Sequence, residues 1–237
     1  LRTTPAQARA YYEAAILASF NPAELEKQAV YSDLGFLLLG WILEKISAQP
    51  LERLFEARVA AGLGLQSLRY LPLGRAPIPL DTIPTEDCPW RKHVLRGEVH
   101  DDNCYVLGGV AGHAGIFGTV ADTHALGRRW LGALNGTDSW LGQATAARFW
   151  ERSKVAGSTR ALGWDGVSPS GSSSGKYFGP SSRGHLGFTG TSIWIDPEKD
   201  LVVTLLTNRV HPTRSNEKIK GFRPLFHDTL LTELGLG

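Results

Sequence analysis

The run Thr191-Ser192-Ile193-Trp194-Ile195-Asp196, then Pro197-Glu198-Lys199-Asp200, then Leu201-Val202-Val203-Thr204-Leu205-Leu206-Thr207, decides the fold class of this chain. Both flanks are rich in β-branched and aromatic residues, and the four residues between them carry turn chemistry, so the stretch reads as an antiparallel hairpin. A further strand is expected just upstream, over Gly184 to Thr189. Downstream, Asn216 to Leu234 has the period of an amphipathic helix able to pack on a sheet.

Working outward, Ser168 to Ser182 is dominated by Ser, Gly and Pro and reads as a mobile loop. Before it, the signals are helical. Thr4-Pro5-Ala6-Gln7 offers a cap, a proline at the first helical position and a Gln three residues after the cap, which predicts a helix to about Ser19. Tyr31 to Ala48 is the next helix. Leu34, Leu37, Leu38, Trp41, Ile42 and Ile46 fall on one face, and Phe36, Leu39 and Leu43 cover much of the rest, the pattern of a central helix. Leu51, Leu54, Phe55 and Val59 give a third, ended by Gly62 and Gly64. Residues 71–118 read as long irregular loops, and such loops inside a compact domain are often functional. Thr119, with Asp122 three residues on, starts a helix to about Leu134, and a shorter one covers roughly Gly142 to Glu151. Helices, then consecutive strands, then a terminal helix make an α+β arrangement: an antiparallel sheet flanked by helices, plus a helical lobe. The expected division is a mainly helical lobe over 1–155 and sheet strands with the last helix over 156–237.

The chain has 237 residues, 42% hydrophobic and 20% charged, with a formal net charge of +2. That composition is globular, and its near-neutral charge, with Arg91-Lys92-His93 as the densest basic stretch, argues against a nucleic-acid partner. No apolar run reaches the ~18 residues of a membrane span, and no signal peptide is visible. The two cysteines, Cys88 and Cys104, make no disulfide framework; they read as two buried thiols or, across the modest loop between them, as a pair. The chain begins at Leu1 without an initiator Met, so its true N-terminus is expected to lie upstream.

Two constellations carry chemistry: Tyr31-Ser32-Asp33 at the start of the apolar helix, and Gly184-His185-Leu186-Gly187-Phe188-Thr189-Gly190 on a strand. Together with Gly108-Gly109-Val110-Ala111-Gly112-His113-Ala114-Gly115-Ile116-Phe117-Gly118 and Thr207-Asn208-Arg209-Val210-His211-Pro212, they make nearly the whole chain resemble the penicillin-recognising serine hydrolases, the fold shared by class C β-lactamases, DD-peptidases and related esterases. Those enzymes use a Ser-x-x-Lys motif, a Tyr-x-Asn or Ser-x-Asn, and a Lys-Thr-Gly or His-x-Gly variant. Tyr31-Ser32-Asp33 is similar to the second, with Asp for Asn, and His185-Leu186-Gly187 to the third. The resemblance implies a β-lactamase/transpeptidase-like fold and acyl transfer through a serine. Tyr31 would be general base or acid, Asp33 a partner of the motif lysine or the substrate amide, and His185 a cationic group facing substrate. Phe188 N–H would be an oxyanion donor, and Gly187, Thr189 and Gly190 would line the substrate. Asp33 also reads simply as a helix cap, and His185 as a surface strand histidine. Leu186 removes a hydroxyl that commonly binds a substrate carboxylate, which points to weak β-lactam recognition and to an esterase or amidase lineage.

The nucleophile motif is not where the resemblance requires it. No Ser-x-x-Lys precedes Tyr31. Ser173-Ser174-Gly175-Lys176 lies in the Ser/Gly loop, and Ser215-Asn216-Glu217-Lys218 follows the third motif, out of order. Gly171-Ser172-Ser173-Ser174-Gly175 satisfies the Gly-x-Ser-x-Gly pattern without the strand and helix an α/β-hydrolase needs around it. Glu98, His100, Asp101, Asp102 and Asn103 lack helical or strand spacing and read as a hydrogen-bonded loop rather than a metal site. His113 and His211 read as structural. Neither metal nor cofactor is expected. The expectation is therefore part of a serine hydrolase acting on an ester, amide or β-lactam carbonyl of a small-molecule or peptide substrate, this chain lacking the nucleophile. The alternative is a non-catalytic relative binding peptide or cell-wall fragments. The resemblance slightly favours a periplasmic or extracellular setting. Without the N-terminal part of the fold, the Tyr31 helix would lack a packing partner and the sheet would expose an edge. A second chain or an N-terminal segment would complete the fold, or the fragment would oligomerise or repack.

Overall fold

Thr4 opens the first helix, α1 (Pro5–Ser19), with a reciprocal capping box: its hydroxyl accepts from Gln7 N–H at 3.3 Å, and Gln7 Oε1 accepts from Thr4 N–H at 2.9 Å. The computed structural model describes residues 3–74, 78, 79 and 81–237. It divides into two compact units, Leu1–Thr119 and Val120–Gly237.

In the first unit, α2 (Leu34–Ser47) starts three residues later than the sequence predicts, which leaves Tyr31 and Ser32 outside the helix. Asp33 occupies the cap position but its side chain makes no capping bond; Ser32 Oγ accepts Leu34 N–H at 3.2 Å instead. Leu37 is buried with Ile16, Val99, Cys104 and Ala111, and Tyr12, Trp41 and Tyr105 pack around them. The rest of α2 is not central. Leu39, Ile42 and Leu43 are about half exposed, and Ile46 is 78% exposed. Gly40 lies against Gly112, where a Cβ would overlap the Phe36 carbonyl, so the glycine-rich loop meets α2 at backbone contact.

Helix α3 (Leu51–Phe55) runs through a π turn at Glu56–Ala60 into α4 (Ala61–Leu63), closed by Gly64 at φ +69°. The stretch read as loop contains short elements. β1 (Arg69–Tyr70) pairs with β4 (Ile116–Phe117), β2 (Asp87–Cys88) pairs with β3 (His93–Val94), and α5 (Asp102–Val106) lies between. Residues 75–77 and 80 of that stretch lie outside the described residues.

The second unit comprises α6 (Val120–Leu134), α7 (Gln143–Trp150), β5 (Asp165–Gly166), β6 (Arg183–Leu186), β7 (Ser192–Asp196), β8 (Leu201–Leu205) and α8 (Ile219–Glu233). The four strands form one antiparallel sheet in the order β5-β6-β7-β8, with Ile195 opposite Val202 and Trp194 opposite Val203. Alternation sends successive side chains to opposite faces. Ile195 and Val202 join Leu131 of α6 and Trp150 of α7, while Trp194 and Val203 join Leu231 of α8 and Phe178. Helices α6 and α7, which the sequence assigns to the helical lobe, are therefore layered on the sheet. Gly127 permits this approach, since a Cβ there would stand 2.8 Å from Ile193 and Val202 side-chain atoms. Among the described residues no strand pairs with the outer side of β8.

Two expectations need correction here. The strand expected over Gly184 to Thr189, β6, stops at Leu186, because Gly190 adopts φ +115° and its N–H turns back to the Gly187 carbonyl at 3.1 Å. The Ser/Gly stretch is packed rather than loose. Ser174 and Ser182 are fully buried, Ser173 O contacts His227 Nδ1 at 2.9 Å, and Asp228 Oδ1 accepts Lys176 N–H at 2.7 Å. Partners on α8 satisfy backbone groups that composition alone would leave to water. Among the described residues no helix is long and apolar enough to cross a membrane.

Candidate active site

Tyr31 and Asp33 belong to the first unit, and the His185–Gly190 stretch to the second. Tyr31 is 61% exposed. One oxygen of Asp33 and ligand atoms of Asp101 and His113 all lie within 4.8 Å of one another. Asp101 caps α5, its Oδ1 accepting Cys104 N–H at 2.7 Å, and the same oxygen is 2.8 Å from His113 Nε2. Burial opposes ionisation of Asp101, but the bonds from His113 and the Cys104 amide outweigh it and hold its carboxyl below the usual range.

The stretch around Asp101 is organised by Arg91, whose buried guanidinium donates to Val99 O at 2.7 Å, His100 O at 3.0 Å and Asp102 Oδ1 at 3.0 Å while stacking 3.9 Å over Tyr105. His100 and Glu86 form a buried pair at 3.2 Å, and Tyr12 donates to Asn103 Oδ1 at 2.5 Å. Cys88 and Cys104 are buried thiols; burial pushes that of Cys104 up to about 12.

Asp33, Asp101 and His113 are the one group among the described residues able to hold a metal ion. Capping and the imidazole bond already account for Asp101 and His113. Sequence reading gave the three separate roles, because Asp33 is remote in the chain from Asp101 and His113.

In the second unit, His185 sits on β6 opposite Ile193, half-buried, with Nδ1 3.0 Å from Leu186 O. Gly187 to Thr191 form the turn into β7. A Cβ on Gly187 would overlap Thr191 Oγ1, so the turn itself requires glycine there. Phe188 is 60% exposed, with the Arg209 guanidinium 4.1 Å over its ring. Arg209 also donates from Nε to Phe188 O at 2.7 Å and from its backbone N–H to Thr189 O at 2.9 Å. Arg223 Nη2 donates to Gly187 O at 2.8 Å and Thr191 O at 2.6 Å, and Thr207 Oγ1 donates to Gly190 O at 2.6 Å. Neither arginine stood out in the sequence, since both lie outside the motif they hold.

The two serine–lysine decoys lack nucleophile geometry. Ser173 offers its carbonyl to His227 in a turn, and Ser215 and Lys218 precede α8, which begins at Ile219. Neither pair spans a helical turn.

A family model described as Beta-lactamase matches residues 2–225. Among curated proteins, a putative D-alanyl-D-alanine carboxypeptidase of Salmonella gallinarum is 34% identical over 219 residues, covering 84% of this chain and 50% of that protein. One of the same description from Salmonella paratyphi B is 34% identical over 205 residues, covering 80% and 47%. The chain thus spans about half the length of the curated relatives it matches. Solved structures with the same fold include a β-lactamase of Mycobacterium bovis (TM-score 0.61, 20% identity, 88% of this chain and 65% of that one). They also include a penicillin-binding protein of Bacillus halodurans (TM-score 0.58, 18% identity, 86% and 56%).

Proposed function

Because the chain belongs to the β-lactamase family of penicillin-recognising serine hydrolases, we propose that it forms the part of such an enzyme that carries the second and third motifs, with the nucleophilic serine supplied from outside these 237 residues. The substrate is an ester, amide or β-lactam carbonyl on a small molecule or peptide. Tyr31 handles the serine proton. Its phenol, ordinarily near pKa ~10, works near neutral pH only beside a cation such as the motif lysine. Asp33 bonds that lysine or the substrate amide. The Phe188 N–H stabilises the oxyanion, and Gly187, Thr189 and Gly190 line the acyl group. His185 supplies a weaker, pH-dependent cation than lysine. With Leu186 offering no hydroxyl, a substrate carboxylate loses a hydrogen bond of about 1.5–3 kcal/mol, which favours ester or amide substrates over β-lactams.

The observation that carries this reading is the apolar face of α2 beside Tyr31 and Asp33, where Leu39, Ile42, Leu43 and Ile46 stand exposed. A contiguous apolar surface of this kind marks a place for a partner, and half of each curated relative has no counterpart in this chain. A second reading, a non-catalytic relative that binds peptide or cell-wall fragments, draws on Asp33 in place of Asn and on Leu186.

An active-site serine probe followed by mass mapping tests both. The chain alone is expected to take no label. The chain expressed together with the coding sequence upstream of Leu1 is expected to take one, on the serine of a Ser-x-x-Lys. No label on the extended chain would favour the binding protein, and label on Ser173 would contradict both readings.

A further inference from the structure

We infer that Arg223 and Arg209 are positioning residues for the β6–β7 turn and its oxyanion donor, the Phe188 N–H, an inference that rests on the hydrolase reading above. All five carbonyls from Gly187 to Thr191 accept a hydrogen bond: the Arg223 side chain holds those of Gly187 and Thr191, the Arg209 side chain that of Phe188, the Arg209 backbone N–H that of Thr189, and Thr207 Oγ1 that of Gly190. In a planar trans peptide the carbonyl and the following N–H point in opposite directions. The Arg223 bond to Gly187 O therefore fixes where the Phe188 N–H points, and the Arg209 bond to Phe188 O fixes the Thr189 N–H. The arginines stand behind the turn and aim its amides forward.

The chemistry of Arg223 supports more than a packing role. It is 7% exposed, its Nη2 donates to two carbonyls, and among the described residues it makes no ion pair with a carboxylate. Burial and the nearby Arg209 both disfavour its charged form. A neutral amide could satisfy one of these carbonyls at lower desolvation cost. A retained cation adds a fixed positive field at the place where the substrate oxygen becomes negative, a contribution that favours the transition state over the bound substrate.

The test uses Arg223→Gln, Arg223→Lys and Arg209→Lys, each with two readouts. Amide hydrogen exchange on the 237-residue chain reports the turn. Arg223→Gln is expected to speed exchange at Gly187 and Gly190 on the order of tenfold while Val203 in β8 is unchanged, and Arg223→Lys to restore most of the protection. Hydrolysis of p-nitrophenyl acetate by the chain expressed with its upstream coding sequence reports the chemistry. There Arg223→Gln is expected to lower kcat about tenfold to a hundredfold with little change in KM, and the lysine variants to fall in between. Unchanged exchange in Arg223→Gln overturns the inference. So does faster exchange with kcat intact, which would leave the arginine a structural clamp. A parent protein that hydrolyses no ester refutes the hydrolase reading and the catalytic half of this inference, while the exchange result still reports the clamp by itself.

Discussion

Helix α2 and the β7–β8 hairpin are the two most apolar stretches of the chain, yet their fates differ. The hairpin is covered on both faces: Ile195 and Val202 face Leu131 and Trp150, and Trp194 and Val203 face Leu231 and Phe178. In α2 only Leu37 and Gly40 are buried. The hairpin finds its partners within a hundred residues on either side, whereas the second side of α2 has none among the described residues. An apolar pattern specifies an element and says that something must cover it, not that the covering lies in the same sequence.

The sharpest way to break this contrast is through the two centres. Trp194→Ala removes a ring that is 2% exposed and should cost about 3–5 kcal/mol in urea unfolding. Leu37→Ala, at 1% exposed, should cost about 2–5 kcal/mol. If Leu37→Ala were neutral, α2 would be loosely held even on its inner side.

Asp196 sharpens the comparison from the polar side. It is fully buried at the end of β7, where its carboxylate accepts from the backbone N–H groups of Gly179, Glu198 and Lys199 at 3.0–3.1 Å and from Lys199 Nζ at 3.2 Å. Burial raises its carboxyl, but these donors outweigh it and the net displacement is downward. A carboxyl with a depressed folded-state pKa binds fewer protons folded than unfolded, so its stabilisation is present above about pH 4 and is lost as pH falls through the folded value. Asp196→Asn should cost about 1–3 kcal/mol at neutral pH and flatten the acid limb of the stability curve; an unchanged limb would assign that limb to other carboxylates, Asp101 first.

The smallest effect is expected on the outer face of α2. Ile46→Ser should change urea stability by no more than about 0.5 kcal/mol, while lowering self-association measured by sedimentation. A large loss of stability would mean that Ile46 is covered in solution.

Much of the fold was legible because local chemistry and tertiary packing agree. Thr4, Pro5 and Gln7 form the capping box their spacing predicts, and the hairpin turns at Pro197–Asp200 as its composition requires. Where they disagree, tertiary contacts win. Ser168–Ser182 has the composition of a free loop, but His227 and Asp228, some fifty residues away, hold it. The strand through His185 ends three residues earlier than its composition suggests, because the turn closed by Gly190 at positive φ takes up Gly187 to Thr189. The motif letters stand in the sequence, but what surrounds them does not: Asp101 and His113 come near Asp33, and Arg209 and Arg223 hold the turn, only through folding, and no period or spacing joins them.

The measurement that bears most directly on the account is amide hydrogen exchange across α2, with a hydrophobic dye as a second readout, compared between the chain alone and the chain expressed with its upstream coding sequence. The account expects the face bearing Leu39, Ile42, Leu43 and Ile46 to bind dye and exchange readily in the first, and to lose dye binding and gain protection in the second. Equal exposure of that face in both would contradict it.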